Sequence, residues 1–155
     1  MEPLLAALEA APPAAWLRGA RWGYAAVNTA HILGLALLIG AIAALDLRRL
    51  GAYASVPMTG ATRLLTPVAA VGLALAVLTG AALFASRASE YAANPVFVFK
   101  VALVAVGTAF ALALHGPHRW HIDRLSPGAR AVCAAFSLCL WFTVLALGRL
   151  IAFTG

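Results

Sequence analysis

The chain predicts an all-α integral membrane protein, a four-helix bundle preceded by a short N-terminal interfacial helix. Three observations predict it. Hydrophobic residues make up 64% of the 155 and charged residues only 10%, with a mean hydropathy of +0.95. Soluble domains average about 45–50% apolar and about 25% charged, and one of this length does not bury so much apolar surface. The apolar residues are gathered in four runs of spanning length, and the stretches between them are short enough to demand antiparallel neighbours. Residues 1–155 therefore read as a single membrane domain, which excludes a soluble enzyme and a disordered tail. The net charge of +6 and pI near 10.4 do not point to nucleic acid, because the basic residues sit between the apolar runs.

The elements follow in order. Glu2-Pro3 is a helix start, with proline at the first helical position. Pro3–Ala10 is amphipathic, Pro12-Pro13 breaks it, and Ala14–Arg21 leads into the first span. With no basic leading segment and no separate apolar core, residues 1–20 read as a retained interfacial helix, not a signal peptide. The spans are predicted at about 25–45, 64–86, 95–115 and 131–153. Trp22 and Tyr24 precede the first one, as aromatics of an interfacial belt do. Cys133 and Cys139 fall in the fourth, and their six-residue offset sets them apart around a helix, against a disulfide.

Orientation follows the distribution of basic residues. Arg48, Arg49, Arg63, Arg119, Arg124 and Arg130 lie in the first and third loops. Arg18, Arg21 and Arg87 lie on the other side, with Lys100 and Arg149 just inside helices. Both termini are predicted outside, in the periplasm of a bacterial inner membrane. Arginine outnumbers lysine ten to one and alanine is about a quarter of the chain, which fits a GC-rich bacterial genome.

Small residues mark the packing seams. The second span carries Gly72, Ala76 and Gly80 at four-residue spacing, which lets a neighbouring backbone approach closely. The fourth has Cys133, Ser137 and Gly148 along one side, beside Trp141.

Polar groups inside a span are costly and mark function. Asn28, His31 and Asp46 fall within about 60° of one another on the first helix, with Tyr24, Leu38 and Ile42 on the same side. This stripe, polar at its ends and apolar between, is predicted to face the bundle. On the third helix Lys100, Val104, Gly107, Ala111 and His115 share one face, where Gly107 and Ala111 allow close packing or a planar ligand. His31 lies about 9 Å and Lys100 about 8 Å below the outer boundary. Tyr24, Asn28, His31 and Lys100 thus form a candidate outer-leaflet pocket, with His115 a further candidate ligand. The plainer alternatives are a snorkelling lysine and a buried histidine bonded to a neighbouring helix.

His115, His118 and His121, with Asp123 close by, are candidate metal ligands at the inner face, copper being the metal considered. A basic loop with an interfacial tryptophan is the alternative. A haem between His31 and His115 is disfavoured, because His115 lies about 30 Å below the outer boundary. The chain has no phosphate loop, nucleophile elbow, HExxH motif or paired intramembrane carboxylates, and so is not expected to be an enzyme by itself.

Trp22, Asn28, His31-Ile-Leu-Gly34, Leu45-Asp46-Leu-Arg48-Arg49-Leu-Gly51, Asn94-Pro95, Lys100 and His115 together resemble a bacterial family of small four-span inner-membrane proteins. The resemblance covers nearly the whole chain and implies fold and membrane location. More distantly the layout is similar to the membrane domain of copper-resistance D proteins and to four-helix b-type cytochromes, such as bacterial superoxide oxidase. Those cytochromes carry histidine pairs at matched depth, and this chain departs from that.

Three functions are therefore expected to compete. One is a redox-accessory subunit holding haem b or a quinone. There His31 ligates iron or hydrogen-bonds a quinone carbonyl, and Lys100 neutralises a propionate or a semiquinone. The second is copper handling by the histidine cluster. The third is a structural subunit in the lipid bilayer, serving a membrane oxidoreductase or a homo-oligomer.

Overall fold

The computed structural model describes residues 2–115 and 125–154. They form seven helices: α1 (Glu2–Ala10), α2 (Pro12–Gly19), α3 (Arg21–Arg49), α4 (Met58–Ser86), α5 (Ala88–Ala93), α6 (Pro95–His115) and α7 (Pro127–Thr154). No strand occurs among the described residues. The all-α expectation is borne out, and α3, α4, α6 and α7 are each long and apolar enough to cross a membrane.

α6 coincides with its predicted span, whereas α3, α4 and α7 outrun theirs. α3 and α4 have 29 residues each, about 43 Å of helix against about 30 Å of hydrocarbon, so their polar ends lie beyond the apolar windows that located them. Pro67 sits inside α4 without ending it. The N-terminal segment is two short helices hinged at Ala11, and α5 was not anticipated at all. Arg87 leaves helical geometry (φ −148°, ψ 52°) and separates α4 from α5. α6 then starts on a side-chain cap. Asn94 Oδ1 accepts from the Val96 and Phe97 N–H groups, at 2.9 and 3.3 Å, and Pro95 needs no partner. Ser126-Pro127 repeats the device for α7, Ser126 Oγ accepting from the Ala129 N–H at 3.3 Å.

The α3–α4 pair is the most extensive interface, and Gly34 and Gly72 make it possible. A Cβ on Gly72 would stand 2.5 Å from the Leu38 nitrogen, and one on Gly34 would stand 2.7 Å from the Ala76 nitrogen. Backbone touches backbone there, as the glycine spacing predicted. α7 packs on both α3 and α6. Going round the bundle the order is α4, α3, α7, α6, and among the described residues α4 and α6 share no comparable interface. Leu38, Leu140, Trp141 and Val144 fill the centre, with Val104 and Leu73 packed against them. Trp141 and Leu140 reach this position because Gly107 offers no side chain: a Cβ there would lie 2.7 Å from Leu140 Cδ2 and 3.0 Å from Trp141 Cζ2.

α1 and α2 lie over the α5 end of the bundle. Two bonds of opposite polarity hold them. Arg18 Nη1 donates to the Ser86 carbonyl at the end of α4 (3.1 Å), and the Ser89 N–H at the start of α5 donates to Glu9 Oε1 (2.7 Å). Ala14 and Leu17 are buried beneath, while Leu4, Trp16 and Trp22 stay exposed, Trp22 at 83%. At the opposite end Arg48 donates to the Val56 and Ala54 carbonyls and pins the turn that passes through Gly51 (φ 104°). Arg49 and Asp46 form a buried ion pair at 3.0 Å.

Candidate functional site

The first turns of α3 carry Tyr24, Asn28 and His31 on one face, and the first turns of α6 carry Phe97 and Lys100. The bundle brings these faces together across the end of α4, with α5 as a roof. Between them lies a cavity of about 940 Å³. Tyr24, Asn28, His31 and Lys100, the four residues predicted to form an outer pocket, all line it.

His31 is held by α4. Its Nδ1 lies 3.0 Å from the Ala76 carbonyl and 3.1 Å from Thr79 Oγ1. The carbonyl can only accept, so Nδ1 carries the proton. The Thr79 hydroxyl proton is directed to the Leu75 carbonyl at 2.6 Å, which leaves the threonine oxygen free to accept as well. In the neutral ring Nε2 therefore bears the lone pair, and it makes no hydrogen bond to the described residues. A neutral His31 thus accepts a proton or ligates a metal through Nε2; it does not donate to a quinone carbonyl from that atom.

Two glycines make room for these side chains. A Cβ on Gly80 would meet His31 Cε1 at 3.1 Å, and one on Gly148 would meet Lys100 Nζ at 3.1 Å and Cε at 3.4 Å. The imidazole lies on α4 and the lysine crosses α7. Lys100 has no hydrogen bond or ion pair among the described residues, so its ammonium is a donor turned to the cavity. Gly80 and Gly148 were expected to be helix seams, and at their depth the space they leave is occupied by a side chain.

The remaining wall is aromatic. Phe84 of α4 and Phe97 of α6 stack with centroids 5.4 Å apart and planes 5° off parallel, bridging the gap between those helices. Tyr91 of α5 leans on both. Its phenol is pushed above the ordinary tyrosine value, chiefly by burial and then by the neighbouring Tyr24 hydroxyl. Arg87 and Glu90 stand at the rim as an exposed pair 3.4 Å apart. None of these five was a sequence candidate. The Arg87-x-x-Glu90-Tyr91 cluster between two spans was the available signal.

His115 ends α6, fifteen residues and about 22 Å from Lys100, so it belongs to the other end of the bundle. His118 and His121 lie outside the described residues. Among the described residues no group of three metal-ligating side chains occurs. The Cys133, Ser137 and Trp141 face of α7 lines a second, smaller cavity between the core and Asp46. Set against protein-family models, curated proteins and solved structures, the chain matches none of them.

Proposed function

We propose that this chain is a multi-pass bacterial inner-membrane subunit that binds a quinone-type head group in the first cavity, beside a membrane oxidoreductase that makes or consumes it. One observation carries the reading: the His31 ring is anchored through Nδ1–H to a backbone carbonyl, which leaves Nε2 as an acceptor, and Lys100, a donor with no partner among the described residues, lines the same cavity. A quinol hydroxyl needs an acceptor, a quinone carbonyl needs a donor, and the two walls supply one of each. The stacked Phe84 and Phe97 offer a flat apolar flank to a planar ring. The asymmetry of the arginines supports termini, and hence this cavity, on the periplasmic side.

Haem b is the second reading, favoured by the same anchored imidazole, since metal-ligating histidines fix their tautomer through the other nitrogen. It fits less well. The other nitrogen bases on the described cavity wall are the Arg87 guanidinium, which keeps its proton in proteins, and the Lys100 amine, which must lose its proton before it can ligate iron.

The test uses detergent-purified protein. A quinone is expected in its organic extract, together with saturable binding of a short-chain benzoquinol. His31→Ala and Lys100→Ala should each weaken that binding by about tenfold or more. A wild-type protein that neither carries nor binds a quinone overturns the reading and leaves a structural subunit. A reduced-minus-oxidised haem band that disappears in His31→Ala replaces quinone by haem.

A further inference from the structure

The second cavity, of about 180 Å³, sits in the half of the bundle away from α5. Ala69, Ala70 and Leu73 of α4 face Gly107, Thr108 and Ala111 of α6 across it. Asp46 and Arg49 close its far end. The first cavity lies between the same two helices, bounded by Gly80 and Phe84 on one side and Phe97 and Lys100 on the other. α4 and α6 are also the neighbours that the fold leaves loosely joined. Two voids therefore lie one above the other where the four spans meet, both bounded by α4 and α6 and also lined by α3 and α7. The upper one is polar and the lower one largely apolar, with the Leu38–Trp141 core and the Leu73 and Val104 side chains packed on it at the level between them.

We infer that the ligand carries a long apolar tail, which leaves the first cavity along the α4–α6 seam and ends in the second. The inference rests on the head-group reading above and adds the ligand's subclass: a membrane-dissolved, long-tailed quinone, not a small water-soluble aromatic. Three features set the route. His31 and Lys100, the acceptor and donor of the head-group site, lie at the α5 end of the cavity system, whereas the second cavity has the Thr66, Thr108 and Ser137 hydroxyls and the Asp46–Arg49 pair in a lining that is otherwise apolar. Small side chains on both helices keep the lower seam thin enough for a chain to lie in it. His31 and Asp46 are fifteen residues apart on α3, so a tail of about 20 Å fits before it meets the buried ion pair. Bilayer lipid is as apolar as the seam, so the tail's preference comes from filling voids and from being tethered at its head.

The experiment places the full chain in lipid nanodiscs with a long-tailed benzoquinone bearing a diazirine at the tail end. After irradiation, mass spectrometry should find the label on residues 69–73 or 107–112. An excess of unlabelled long-tailed quinone should remove it. His31→Ala should lose it too. Ala70→Leu and Thr108→Leu, which fill the cavity from opposite helices, should each cut tail labelling by about tenfold while short-chain quinol binding stays unchanged. Short-chain binding with tail label on lipid-facing positions such as Val98 or Phe99, or with no loss in either filling variant, overturns the inference and leaves the head-group site standing. Absence of both short-chain binding and competable label overturns the head-group reading together with the tail.

Discussion

Single residues decide what the first cavity can hold. His31 and Lys100 were legible in the sequence because an ionisable group inside an apolar run is expensive and therefore stands out. Gly80 and Gly148 were not, because a small residue has the same helical periodicity whether its space is filled by a backbone or by a neighbour's imidazole. The structure separates these cases. Gly72 lies within backbone contact of α3, whereas Gly148 meets only the flexible end of Lys100. Gly148→Val should therefore push the ammonium away from its present position without parting the helices. Short-chain benzoquinol binding should weaken by about tenfold, with the thermal unfolding transition little changed. The expectation is checked by titration and differential scanning fluorimetry on the same preparation. Equal binding would mean that the amine has no part in recognition.

At the scale of elements, the four spans were legible and their junctions were not. Hydropathy finds a run of twenty apolar residues, but α5 is six residues long and is tied by one hydrogen bond to chain eighty positions away. No local pattern encodes such a bond. The Glu9 carboxyl sits below its usual 4.5, chiefly because the Ser89 N–H donates to it. A depressed carboxylate favours the folded arrangement above its unfolded pKa, and the benefit is lost as the pH falls through the lowered folded value. The hold of α1 on α5 should therefore be constant near neutrality and loosen below about pH 4. Amide hydrogen exchange at Ser89, corrected for intrinsic rate, should accelerate there, and Glu9→Gln should show the faster exchange at every pH. The α3–α4 crossing gives the opposite kind of prediction. Gly72→Leu forces a side chain into the α3 backbone and should cost about 3 kcal/mol or more. Loss of the folded species in size-exclusion chromatography would register it, and a normally folded Gly72→Leu protein would contradict the backbone contact.

For the molecule as a whole, the bundle is an incomplete ring: α4 with α3, α3 with α7, α7 with α6, and a seam between α6 and α4. The fold class was legible from composition, but that opening was not, because it depends on which helices meet and not on what any one of them contains. Orientation is testable independently of any ligand. In a Cys133→Ser, Cys139→Ser background, a membrane-impermeant maleimide added to spheroplasts should label Glu2→Cys and spare Ser55→Cys. The reverse pattern would put the His31 cavity on the cytoplasmic side. The Gly34–Gly72 contact also bears on how the protein is made. α3 and α4 are synthesised before α6 and α7 and are joined by a short turn that Arg48 ties down. The Gly34–Gly72 approach and the His31–Ala76 bond lie wholly within these two helices, so this hairpin can form in the bilayer while α6 and α7 are still being synthesised. The second hairpin then docks onto a finished surface. A glycine lost from the first crossing would therefore fail during insertion, and would reach the cell as a degraded nascent chain and not as a mature protein with an altered pocket.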